Sequence, residues 1–179
     1  HLMAGNIAHR LRPNSFYQVN LEINEIMIAT LIDTIQQLQP THILDLYSGA
    51  GNLSLPLVKL GYNATLIESS PSSCADARDT LKRESLQATI QQQDAHRFQA
   101  GQVFFDVAIV DPPRRGCLQV MHQLLITSPK AIIYISCNPK ALAKDIQPAL
   151  NAGYQIQQLI LFDMFPQTEH VETFCVLKK

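Results

Sequence analysis

Apolar positions along the chain fall into two alternating kinds of segment. Ile23, Ile26, Met27, Ala29, Leu31, Ile35 and Leu38 recur at helical spacing and mark one broad face, and Gln39-Pro40 ends that pattern. A short apolar run over 41–47 then predicts a strand, 48–52 a glycine-containing turn, and 53–60 a helix with Pro56 in its first turn and Gly61 beyond its end. The same alternation continues. Strands are predicted over 63–68, 88–92 (weakly), 105–111 and 131–137, and helices over 71–84, 119–128 and 139–151, the last stopped by Gly153. Two further strands follow, around 154–162 and 170–177, joined by the short link Asp163-Met-Phe-Pro-Gln-Thr168. Residues 4–19 are mixed and polar and read as a lead-in without strands. Strands alternating with helices predict an α/β fold, a Rossmann-like, mostly parallel, doubly wound sheet with helices on both faces. The closing pair predicts an antiparallel hairpin at one end of that sheet.

Bulk composition narrows the class. A length of 179 residues with 46% hydrophobic content suits one domain with a sizeable core. The formal net charge of −1 excludes a generally basic nucleic-acid module, though not a local basic patch. Cysteines stand far apart, at 74, 117, 137 and 175, with no CxxC spacing, which argues against a zinc site, an iron–sulfur cluster or a disulfide scaffold within this chain. A reducing, cytoplasmic setting is the default for such a chain. No apolar stretch has transmembrane length, and the start does not read as a signal peptide, so no membrane partner is expected. His1-Leu-Met3 reads as a cloning remnant, and the chain as a piece of something longer. The expected organisation is a lead-in over 1–19 and one domain over 20–179.

In a doubly wound sheet, ligands bind beyond the carboxyl ends of the strands, and four strands here end in a chemically pointed residue. The first ends in Tyr47 and the turn Ser48-Gly-Ala-Gly-Asn52, and the second in Glu68. Only Gly49 and Gly51 match a dinucleotide fingerprint, whose third glycine is missing. An acid after the second strand suits ribose hydroxyls, so turn and acid together favour S-adenosylmethionine over NAD; an exposed glutamate after an ordinary strand–turn–helix is the alternative for Glu68. The fourth strand ends in Asp111-Pro112-Pro113, where two prolines fix the backbone and stop the sheet. Such a rigid loop suits holding a polar group against a flat base. Arg114 and Arg115 are candidates for phosphate or a base carbonyl, with solvated surface arginines as the alternative. The fifth strand ends in Cys137, followed by Asn138 as a good N-cap and Pro139 at the first helical position. Positive helix-end potential there is expected to favour a thiolate, making Cys137 a candidate nucleophile rather than a small buried hydrophobe. Glu172 lies in an apolar strand beside Val171 and Phe174, so a raised pKa and service as a base are expected, unless it points to solvent from an edge. His170 suits structural support.

Taken together, these segments resemble the catalytic domain of the RNA uracil-C5 methyltransferases. The matching pieces are Phe16-Tyr-Gln18-Val-Asn20, Leu44-Asp-Leu-Tyr-Ser-Gly-Ala-Gly-Asn-Leu-Ser54, Glu68, Asp94, Asp111-Pro-Pro-Arg-Arg-Gly116, Ser136-Cys-Asn-Pro139 and Asp163-Met-Phe-Pro-Gln-Thr-Glu-His-Val-Glu172, in the family's order from about residue 16 to the end. The resemblance implies a class I S-adenosylmethionine-dependent fold. It implies cofactor binding by Gln18, Tyr47, Asn52, Glu68 and Asp111, with Asp94 on the adenine side. Cys137 becomes the nucleophile that adds to uracil C6, and Glu172 the base that removes the C5 proton before elimination frees the thiol. The target base must reach a pocket at the sheet edge, unstacked or flipped. Arg114 and Asp111 are the residues expected near the base. No metal is implied in this chain.

Two positions depart from the family pattern: Ser48 stands where Cys is usual and Gln167 where His is common. The resemblance implies an N-terminal RNA-binding barrel, and often an intervening domain and a cysteine cluster for iron–sulfur, none of which is expected within these 179 residues. A chain of net charge −1 is poorly equipped to hold RNA phosphates alone, so it is expected to bind cofactor and to turn over RNA slowly. The details around 111–116 and 163–166 favour ribosomal over transfer RNA. Competing readings are an amino-group base methyltransferase using Asp111-Pro-Pro without a nucleophilic cysteine, a non-catalytic cofactor-binding domain, and an NAD-binding fold.

Overall fold

The structure, a computed structural model, describes all residues except His1, Asn14, Phe16, 100–103, Phe165, Glu169 and His170. The sheet elements in chain order are β1 (Leu2–Ala4), β2 (Ile7–His9), β3 (His42–Leu46), β4 (Asn63–Glu68), β5 (Thr89–Gln92), β6 (Val107–Val110), β7 (Ala131–Ser136), β8 (Gln155–Phe162) and β9 (Glu172–Lys178). The helices are α1 (Leu21–Leu38), α2 (Ser54–Lys59), α3 (Pro71–Arg83), α4 (Leu118–Thr127), α5 (Pro139–Asp145) and α6 (Gln147–Asn151). Seven strands form one sheet in the order β5-β4-β3-β6-β7-β9-β8. The first five are parallel, while β9 inserts antiparallel between β7 and β8. This is the doubly wound sheet with a terminal hairpin that the alternation predicts.

Two elements differ from those expected, each for a physical reason. The helix expected over 139–151 divides at Ile146 into α5 and α6, because Pro148 has no N–H to continue the ladder. The lead-in holds an antiparallel hairpin, β1 with β2, turned at Gly5 (φ 55). Its Ala4 and Ile7 are fully buried against α1 and α2, and the Gly5 N–H donates to the Glu25 carboxylate. Leu2 and Met3, read as a cloning remnant, pair here with His9 and Ala8. Strands of three residues are too short for alternation to reveal. The last strand, expected from His170, begins at Glu172, and His170 lies outside the described residues.

Alternation within the sheet assigns its two faces. Ile43, Leu66, Val107, Ile109, Ile133, Ile135, Phe174 and Val176 pack with Met27, Leu31 and Ile35 of α1 and with α2. Leu44, Leu46, Ala108, Val110, Ile132, Tyr134, Cys175 and Leu177 pack with Val120, Met121 and Leu124 of α4 and with α5 and α6. Since successive side chains point to opposite faces, Asp45, Glu68, Asp111, Cys137 and Glu172 all fall on the α1–α2 face. All five stand at or near the end of the sheet where the parallel strands finish.

Candidate active site

The glycine turn leaves β3 abruptly. Tyr47 is left-handed (φ 63), as are Gly49 (φ 56) and Gly51 (φ 85). A bulky residue in that region costs on the order of 1–2 kcal/mol, and such strain collects at functional positions. A Cβ on Gly51 would stand 2.5 Å from Leu55 Cγ, so only glycine lets the turn close onto α2. Glu68 holds the turn from the next strand: the Gly49 N–H donates to Oε2 at 2.9 Å and the Ser70 N–H to Oε1 at 2.6 Å. Asn52 is fixed from behind by fully buried Asn24, each side-chain amide donating to the other's oxygen at 2.8 and 3.0 Å.

Beyond these strand ends lies a cavity of about 520 Å³. It is lined by Gln18 from the lead-in, Tyr47 and Gly49 from the turn, Glu68, Ser70 and Ser73 beside α3, Asp111-Pro112-Pro113, Cys137 and Glu172. A small pocket of about 40 Å³ shares Gln18, Tyr47, Gly49 and Asp111 and reaches Asn52. Six residues singled out from the sequence, Gln18, Tyr47, Glu68, Asp111, Cys137 and Glu172, thus meet on one cavity. A groove of about 560 Å³ between α1 and the β8–β9 edge is lined by threonines, glutamines, Asp33, Lys178 and three aliphatic residues, with no cysteine or histidine among its lining residues.

Cys137 and Glu172 flank the last β7–β9 register pair, Ser136 with Thr173. Glu172 is only 4% exposed, on a strand covered on both sides rather than on an edge. Burial, aided by the charge of Asp111, pushes its carboxyl up to about 8. Burial alone lifts Asp111 to about 7. The thiolate expectation for Cys137 is corrected: its thiol lies above the usual range, because burial and then the carboxylates of Glu172 and Asp111 outweigh backbone hydrogen bonding and Arg114. The capping geometry itself is as predicted, with Asn138 Oδ1 accepting from Lys140 and Ala141 N–H and Pro139 in the first turn.

Other predicted residues stand elsewhere. Asp94 is exposed, accepts the His96 N–H at 2.9 Å to cap a short 3-10 turn, and is not among the cavity's lining residues, although its charge reaches Tyr47. The Arg114 and Arg115 side chains are exposed, and Arg115 approaches His96 at 3.5 Å. Asp45 was missed: it is fully buried in β3, and burial raises its carboxyl to about 7, with the Ser54 hydroxyl opposing and Asp111 and Glu68 adding. A lone acid inside Ile43-Leu-Asp-Leu46 was the available signal. Among the described residues no group of three or more His, Cys, Asp or Glu is placed to hold a metal ion, and no helix is long and apolar enough to cross a membrane.

Asp111 and Glu172, which line the cavity, and Asp45, buried in β3 and outside that lining, all carry raised carboxyl pKa values, and burial is the largest cause for each. Such a site suits a cationic ligand. Comparisons with known proteins bear on the family and the fold. The chain is 35% identical over 170 residues to the 23S rRNA (uracil(1939)-C(5))-methyltransferase RlmD of Shewanella sp. (strain MR-4), covering 93% of this chain and 38% of that protein. It is 36% identical to the protein of the same description from Acinetobacter baumannii (strain AB0057), covering 99% and 40%. The chain therefore spans about two fifths of the length of these relatives. The solved Pyrococcus abyssi tRNA (uracil-54, C5)-methyltransferase, in complex with S-adenosyl-L-homocysteine, superposes with a TM-score of 0.81 at 30% identity over 96% of this chain and 42% of that one. The methyltransferase domain of bacterial CtHen1 shares the fold, at a TM-score of 0.71 and 16% identity over 88% of this chain and all of that one. The α/β fold with its mostly parallel seven-stranded sheet is that of an S-adenosylmethionine-dependent methyltransferase. Residues 2–179 match the model of a single family, described as tRNA (Uracil-5-)-methyltransferase, and with the whole sheet and its cavity inside that match, the chain belongs to this family.

Proposed function

We propose that this chain is the catalytic segment of an enzyme that methylates uridine C5 in RNA with S-adenosylmethionine. The observation that carries the reading is the pairing of a thiol and a buried carboxyl, Cys137 and Glu172, across adjacent strands at the rim of one cavity. That cavity has the size of a small-molecule site. Its acidic lining fits the sulfonium and ammonium charges of S-adenosylmethionine, with Gln18, Tyr47, Asn52, Glu68 and Asp111 as the holding residues and exposed Asp94 at the margin. When bound, S-adenosylmethionine supplies an electrophilic methyl group. The remaining tasks fall to this chain. Cys137, once deprotonated, forms an S–C6 bond, and the C5–C6 electron pair moves toward O4, leaving C5 electron-rich. After methylation, Glu172 takes the C5 proton, the double bond reforms and the thiolate leaves. A carboxyl poised near 8 is a competent base near neutral pH. Arg114, at the mouth beside Pro113, is positioned for RNA phosphate or a base carbonyl.

Ribosomal RNA is the proposed substrate, supported by identities of 35–36% to proteins named for 23S rRNA against 30% to one named for tRNA. Work in the cytoplasm follows from that substrate. RNA binding falls largely to parts of the protein beyond this chain, because the acidic cavity and a net charge of −1 offer phosphates little. The test is covalent trapping in the full-length protein. Glu172→Gln should accumulate a denaturation-resistant RNA adduct that Cys137→Ala abolishes, together with methylation. Retained methylation in Cys137→Ala would favour amino-group transfer and overturn the reading. Silence of both substitutions would point to a cofactor-binding role alone.

A further inference from the structure

Asp111 and Cys137 sit at the ends of β6 and β7, and neighbouring strands alone do not fix the loops that follow them. Helix α5 does so at two points. Asn138, directly after Cys137, divides its side chain: Oδ1 caps α5, while Nδ2 donates to the Arg114 carbonyl at 2.9 Å. At the other end of α5, buried Asp145 accepts the Cys117 N–H at 2.5 Å and the Tyr134 hydroxyl at 2.6 Å. The Cys117 thiol in turn donates to the Tyr134 oxygen at 3.6 Å. Between the two points, Pro113–Gly116 closes on itself, the Gly116 N–H donating to the Pro113 carbonyl at 2.8 Å. Gly116 has φ 80, and a Cβ there would stand 2.4 Å from Asp145 Oδ2, so the loop lies against the carboxylate as closely as backbone can. These contacts run partly through the core, where Cys117 and Tyr134 are buried. They join the segment after Asp111-Pro112-Pro113 to the segment after Cys137.

We propose that Asn138 and Asp145 are positioning residues which clamp the 112–117 loop onto α5 and so hold the Asp111 wall of the cavity at a fixed distance from the Cys137 thiol. The inference rests on the function proposed above. The buried carboxylate resists disturbance because both of its partners are themselves buried. The Asn138 bond lies nearer the surface and sets the loop's mouth, including where the Arg114 guanidinium stands. A displacement of about 1 Å between a base and its nucleophile can cost on the order of a hundredfold in rate, so the clamp is read out at the chemical step under saturating cofactor.

Asn138→Ser in the full-length protein tests it. Serine caps a helix about as well as asparagine, but is too short to reach the Arg114 carbonyl, so capping and clamping separate. An unchanged melting temperature is expected, with Cys137 alkylation by iodoacetamide within about twofold of wild type, and turnover is read at saturating S-adenosylmethionine. Amide exchange at Gly116 and Cys117, whose N–H groups are bonded within the clamp, should rise about tenfold or more, and single-turnover RNA methylation should fall about tenfold or more. Asp145→Asn, which weakens the charge-assisted bonds and keeps the volume, should repeat both effects. Unchanged exchange overturns the clamp, and raised exchange with undiminished turnover overturns its positioning role. A wild-type protein that fails to methylate RNA would refute the proposed function separately, and amide exchange would still decide the clamp.

Discussion

Glu172→Gln should stabilise the folded chain, and only at high pH. The Glu172 carboxyl is buried and raised from an ordinary 4.5 to about 8. The folded state therefore holds this proton more tightly than the unfolded state. Between pH 4.5 and about 8 it carries the larger share of protons, so rising pH lowers stability across that window, and the loss levels off above it. Each tenfold in proton affinity is about 1.4 kcal/mol, which sets the full effect at about 5 kcal/mol for a shift from 4.5 to about 8. Glutamine is neutral at every pH and close in shape to the protonated acid. The variant should match wild type near pH 5 and exceed it progressively, reaching a melting temperature on the order of 10 °C higher at pH 9 for a chain of this size. Thermal melts at half-unit intervals from pH 5 to 9, without ligand, provide the assay. Asp111→Asn should open a similar gap at lower pH, between about 3.8 and 7, since its carboxyl is raised from 3.8 to about 7. A stability difference between Glu172→Gln and wild type that does not change with pH, or a variant less stable at pH 9, would refute the assignment of burial as the cause.

Further predictions follow from individual contacts. Calorimetry should give saturable binding of S-adenosylmethionine and S-adenosylhomocysteine but not NAD, and Glu68→Ala should weaken it by about tenfold or more, since the Gly49 N–H loses a charge-assisted bond and the turn its anchor; equal affinity in the variant would remove Glu68 from the site. Gly51→Ala combines a left-handed φ of 85 with a contact at 2.5 Å, and urea unfolding should show a loss of about 2 kcal/mol or more. Asn24→Ala leaves the Asn52 amide without its reciprocal partner and should cost about 1–3 kcal/mol by the same assay. Alkylation of Cys137 in the ligand-free protein should keep accelerating past the ordinary thiol pKa of 9.0, and a plateau near pH 7 would contradict the raised thiol.

The sheet was legible from the sequence because its strands are the strongest signal a chain can carry. Each is a short apolar run bounded by glycine, proline or a capping residue, and β4 came out with both ends correct. Asn138-Pro139 fixed the start of α5 for the same reason, a capping rule that acts locally. Elements decided by tertiary contact escaped. The β1–β2 hairpin exists because α1 and α2 bury Ala4 and Ile7, and nothing in three residues announces that. Within the site, the residues at strand ends were found by topology alone, since a doubly wound sheet puts every strand end on one edge. Their ionisation was not. A helix N-terminus in isolation favours a thiolate, but at Cys137 desolvation and two neighbouring carboxyls oppose it, and those neighbours come from strands 26 and 35 residues away, counted from Asp111 and Glu172. Asn24 and Asp145 were invisible for the related reason that their importance lies in whom they touch: Asn52 across a helix and Cys117 across a loop. Pattern thus locates the groups that carry chemistry, whereas their charge state and spacing depend on contacts between segments distant in sequence, and it is on those contacts, at Asn24, Glu68, Asn138 and Asp145, that single substitutions should most clearly separate the building of the site from its chemistry.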